Sequence, residues 1–132
     1  MFTTTHIGGG VPLLSEYIPY VHSVSLGIWV KSGSVSDTKD TMGIGHFVEH
    51  MLFKGTRRRT AYEIAREIDD VGGHLNAYTS KEYTNFYVKV LKDDIALAAD
   101  VLMDIFLNPT FPADEMEKEK SVVIQEIKMV ED

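Results

Sequence analysis

Apolar and polar positions alternate along residues 21–31 (VHSVSLGIWVK), where Val24, Leu26, Ile28 and Val30 are separated by Ser25, Gly27 and Trp29. A period of two predicts a strand with one face turned inward. Residues 7–14 (IGGGVPLL) read as a weaker strand entered through glycines, and SGSVSDTKD as a turn-rich loop. Two further strands are predicted over 74–80 and 83–91, joined at Lys81-Glu82 as a hairpin, with Phe86, Val88 and Val90 on one face.

Helical spacing takes over elsewhere. A helix is predicted over 41–54, with Thr41 as its N-cap and Gly55 closing it. A second spans 60–71: Thr60 and Glu63 form a capping box, Ile64, Ile68 and Val71 an apolar stripe, and Gly72-Gly73 a stop. A third runs over 93–107 on Ile95, Ala98, Ala99, Leu102, Ile105 and Phe106, ending at Asn108-Pro109. The last begins near Pro112 and reaches the C-terminus, with Met116, Val123, Ile127 and Val130 on its buried side and no stop signal. The order ββ-αα-ββ-αα predicts an α+β domain, a mainly antiparallel sheet covered by helices.

Composition narrows the function classes. The 132 residues suit a single domain over 1–132, and aromatic content of 10% supports a packed core. Without cysteine there is no disulfide, thiolate nucleophile or Cys-based zinc knuckle. With 13 Lys+Arg against 20 Asp+Glu the net charge is −7, which argues against a nucleic-acid partner. No apolar run approaches the ~18–20 residues of a membrane span, and the opening MFTTTHIGGG lacks the pattern of a signal peptide. Together with the lack of cysteine, this makes a cytoplasmic location the expectation.

The chemistry gathers in GHFVEHMLFKGT, residues 45–56. One turn of helix separates His46 from His50, leaving them only about 40° apart in azimuth, and Glu49 lies about 60° to the other side of His46. Two imidazoles at i and i+4 can hold one metal ion from one face, with the carboxylate beside it. The same spacing also occurs in histidines that only pack or face solvent. A zinc ion with a reactive water needs a third protein ligand, and the acidic last helix offers Glu119 and Glu126, seven residues and thus about 20° apart. One of them can ligate while the other orients the site; a plain solvated helix face gives the same pattern. His6, His22 and His74 have no clustered partners.

His46-x-x-Glu49-His50 resembles the inverted zinc motif of the inverzincins. The longer string around it resembles the signature of the insulinase/pitrilysin family of zinc metallopeptidases, which includes mitochondrial processing peptidase. SVSLGIWVKSGSVSD, GGHLNAYTSKEYTNFYVKVL and FPADEMEKEKSVVIQEIKMVED extend the resemblance from about Gly10 to Asp132. It implies a Zn2+ cofactor held by His46, His50 and Glu126. Glu49 is then the general base that takes a proton from the zinc-bound water, and Glu119 an accessory catalytic acid group. Asn76 and Ala77 match the edge strand that pairs with a peptide substrate. Members of the family are much longer, so the resemblance makes this chain the N-terminal catalytic segment of a metalloendopeptidase, cut from its closing domain. Missing sheet neighbours predict self-association, most simply a homodimer. A non-catalytic metal-binding or interaction module, or a metal-dependent hydrolase of another bond, stands as the alternative.

Overall fold

The chain opens with an antiparallel hairpin of β1 (Phe2–Ile7) and β2 (Val11–Glu16). The segment 7–14, expected to be one strand, is thus divided: Gly9 and Gly10 take left-handed φ of 77° and 79° and reverse the chain. Described as a computed structural model, the structure covers Met1–Glu131, with side chains through Met129. The hairpin is exposed along its whole length.

The strongest alternation becomes a second sheet. Its strands are β3 (Ser23–Val30), β4 (His74–Thr79) and β5 (Thr84–Leu91), in the order β3-β5-β4 and antiparallel throughout. Register places Leu26, Val88 and Leu75 in one row and Ile28, Phe86 and Ala77 in the next. These rows face the helices, while Trp29, Asn85 and Tyr78 share the opposite face. β4 lies at one edge of this sheet.

Among the described residues four α-helices follow the expected order: α1 (Ile44–Leu52), α2 (Ala61–Asp69), α3 (Ile95–Leu107) and α4 (Ala113–Glu131). The core joins Phe86, Val88 and Val90 to Ile64 and Ile68 of α2 and to Ala98, Val101, Leu102 and Ile105 of α3. Each large aliphatic group so buried contributes about 1.5–3 kcal/mol. The capping box of α2 is present in both directions, Thr60 with Glu63.

Three sequence expectations shift. Thr41 is not the N-cap of α1; that place belongs to Gly43, and the Thr41 hydroxyl instead accepts from the Thr38 amide at 2.8 Å. Gly55 does not close α1, which ends at Leu52, but sits in a following turn bridged to Thr60. On α4, Val123 is buried and Ile127 half-buried, whereas Met116 is exposed and Glu119 takes its place inside. Val130, the last residue of the expected stripe, has a side chain outside the described set.

The segment after α1 is tied to α3 by one buried carboxylate. Asp104 accepts from Thr56 Oγ1 (2.7 Å), Arg59 Nη1 (2.9 Å) and Arg58 Nε (3.3 Å). Burial works against its charge, but these donors and Asn108 prevail and hold its pKa at about 2. The anchor pins residues 56–59, between α1 and α2, onto α3.

Candidate metal centre

α1 lies between β4 and α4. Its entry depends on Gly43, whose φ of 80° is left-handed and whose missing Cβ would sit 2.9 Å from Ile127 Cδ1 on α4. Glycine therefore allows both the turn into α1 and the close approach of α4, one residue from Glu126. Asp37 accepts the Gly43 amide at 2.8 Å and secures the turn.

That approach brings three ligand atoms together. His46 Nε2 and His50 Nε2 are 3.0 Å apart, and Glu126 Oε2 lies 3.2 Å from the first and 3.5 Å from the second. With bonds of about 2.05 Å to a central zinc, the edge of a tetrahedron is about 3.3 Å. The observed separations bracket that edge, and two imidazoles with one carboxylate are a donor set suited to zinc or a similar divalent cation.

Behind the cluster, His50 Nδ1 lies 2.9 Å from Glu119 Oε2. An ionised carboxylate only accepts, so His50 donates from Nδ1 to Glu119, and its Nε2 is turned toward His46 and Glu126. The other oxygen, Glu119 Oε1, is 2.6 Å from Lys54 Nζ. The Lys54 ammonium, opposed by burial and helped by His50, holds the Glu119 carboxyl below its usual range.

Glu49 stands about 60° around the helix from His46, where it accepts a hydrogen bond from Thr79 Oγ1 on β4. A cleft of about 610 Å³ opens here, lined by His46, Glu49, Ala77, Tyr78, Met42 and Asp37 among others. Glu126 closes the cluster from α4, and Ala77 faces the cleft from the sheet edge. Asn76 does not line it: its side chain lies on the exposed side of β4, with Oδ1 accepting the Ala77 amide at 2.8 Å.

The expected residues thus sort into a converging set (His46, His50 and Glu126), a supporting contact (Glu119), two cleft groups (Glu49 and Ala77) and a strand-edge residue (Asn76). Lys54 and Thr79 were not anticipated. Lys54 is four residues beyond His50, so its helical phase was a usable signal; Thr79 is brought to Glu49 only by tertiary packing.

The chain is similar to known zinc proteases. The profile of the insulinase family (peptidase family M16) matches residues 13–132. The chain is 50% identical over 123 residues to the uncharacterized zinc protease YmxG of Bacillus subtilis, covering 93% of this chain and 30% of that protein. It is 39% identical over 128 residues to the mitochondrial-processing peptidase subunit beta of Neurospora crassa, covering 97% and 27% respectively. A crystal structure of a protease from Helicobacter pylori shares the fold with a TM-score of 0.90 at 23% identity, over 96% of this chain and 30% of that one. The chain therefore spans under a third of the length of these relatives. A profile match that leaves little outside it beyond β1 and its glycine turn settles the ancestry: the chain belongs to the insulinase family, peptidase family M16.

Proposed function

We propose that this chain is the zinc-holding segment of a metalloendopeptidase that hydrolyses short or unfolded peptides. The observation that carries the reading is the convergence of His46 Nε2, His50 Nε2 and Glu126 Oε2 within 3.0–3.5 Å beside a cleft that also holds Glu49. Relatives named as zinc proteases support the choice of metal.

Zinc, when bound, supplies Lewis acidity that polarises a carbonyl and makes water more acidic. The protein's own part is positional and protonic. Glu49 accepts a proton from water in the cleft and passes it to the departing amine, as a carboxylate facing a scissile bond can. Thr79 holds the Glu49 carboxylate toward the sheet edge. An extended peptide adds beside β4 through main-chain hydrogen bonds, and its carbonyl replaces Asn76 Oδ1 on the Ala77 amide. Glu119 supports the centre through His50.

The exposed Phe2, Ile7 and Leu14 of the hairpin and the open edges of β3 and β4 support self-association as a dimer, checked by light scattering at micromolar concentration. A monomeric mass would remove that part of the reading.

The deciding experiment is zinc content per chain after exhaustive dialysis, followed by hydrolysis of a fluorogenic peptide. About one zinc per chain with hydrolysis lost in Glu49→Gln supports a peptidase. Zinc without hydrolysis favours the non-catalytic module, and absence of zinc removes the metal centre.

A further inference from the structure

Lys54 stands just past the C-terminal end of α1, and its amide still bonds back to the Met51 carbonyl. Its ammonium does not turn to solvent or to the helix carbonyls. It crosses to α4, 2.6 Å from Glu119 Oε1 and 3.9 Å from Glu115 Oε2, with only 28% of the side chain exposed. Glu119 is more deeply set, at 10% exposure, and divides its two oxygens between Lys54 and His50 Nδ1.

A glutamate has three side-chain torsions, so contact with one imidazole N–H leaves the carboxylate free to rotate or swing away. A second, charged donor on the opposite oxygen removes that freedom. The imidazole ring has a matching ambiguity, because the proton can rest on either nitrogen. Only the form with hydrogen on Nδ1 turns an Nε2 lone pair toward His46 and Glu126. The tautomer of His50 is thus selected by where Glu119 Oε2 points, which in turn depends on what grips Oε1.

We propose that Lys54 is a positioning residue of the metal centre: it grips Glu119 Oε1, aims Oε2 at His50 Nδ1, and so fixes the tautomer that presents Nε2 to the ion. The proposal rests on the reading of His46, His50 and Glu126 as zinc ligands. It differs from a simple tack between α1 and α4, which would act on the packing of the two helices whatever Glu119 does.

The test uses the whole 132-residue chain. Zinc affinity is measured by competition with a chromophoric chelator for the wild type, Lys54→Met, Glu119→Gln and the double variant. Methionine keeps the apolar stem of Lys54 and removes its charge. Outer partners of metal-bound histidines typically contribute about 10–100-fold in affinity. Lys54→Met is expected to weaken zinc by about 10-fold. The double variant is expected to bind no more weakly than Glu119→Gln alone, because Lys54 acts through that carboxylate. In parallel, nitrogen-15 NMR of the metal-free chain is expected to show His50 protonated on Nδ1 in the wild type and a mixture of tautomers in Lys54→Met.

Wild-type affinity in Lys54→Met, or losses that multiply in the double variant, overturns the proposal while leaving the metal centre standing. A wild-type chain that holds no zinc overturns the ligand assignment and this proposal with it. Should Lys54→Met fail to fold by circular dichroism, the wild-type NMR decides: a proton on His50 Nε2 with none on Nδ1 rejects the role given to Lys54.

Discussion

Thr79 Oγ1 donates to Glu49 Oε2 across the gap between β4 and α1, joining the sheet edge to the carboxylate in the cleft. In a Thr79→Val variant the carboxylate loses its only side-chain donor among the described residues, and a nonpolar group of similar shape takes its place. Zinc content should stay unchanged while peptide hydrolysis falls by about 10-fold or more, a part of the 10²–10⁴-fold that a positioned base contributes. Parallel loss of zinc would show that Thr79 supports the fold of the centre and not Glu49 alone.

Glu49→Gln is the sharper form of the same experiment. The amide fills the same space and cannot take a proton, so hydrolysis should drop by at least about 100-fold with zinc retained. Undiminished cleavage in this variant would remove Glu49 from the role of base.

Removing zinc should cost stability. A ligand at about 100 times its Kd adds roughly 2.7 kcal/mol to the folded state, worth about 8–10 °C in Tm for a chain of this size. Chelation should therefore lower the thermal midpoint of the wild type by about that much. His46→Ala, His50→Ala and Glu126→Gln should each abolish the chelator-dependent shift, as read by scanning calorimetry.

Asp104 gives a pH dependence of definite sign. Its folded pKa of about 2 lies below the ordinary carboxylate value, so the unfolded chain takes up the proton first as pH falls. The stabilisation, roughly 2 kcal/mol, is complete above about pH 4 and is lost as pH drops toward 2. Asp104→Asn should abolish this acid-dependent component in urea titrations. It also removes one of the three carboxylates around Arg59, leaving Glu67 and Asp100 in place.

Local signals were legible in the sequence, and their success has a local cause. Thr60 and Glu63 cap α2 through contacts within four residues, and Lys81-Glu82 lies in the turn between β4 and β5, so neither needed the rest of the chain. The start of α1 was misread at Thr41 because the reason for Gly43 lies on another helix, at Ile127. Acidic positions on α4 suggested a solvated face as readily as a site. Glu119 is in fact buried, since Lys54 and His50 come to meet it from the other side of the fold. The ligand set could be named by resemblance, but its supporting contacts depend on packing between distant segments.

His46 and His50 sit one turn apart on a single helix, whereas Glu126 is separated from them in sequence by α2, the β4–β5 hairpin and α3. A helix can set two imidazoles side by side by itself; the carboxylate reaches them only when α4 packs on α1. The cluster is therefore a product of the tertiary fold, and whatever separates α4 from α1 takes the three groups apart in the same step.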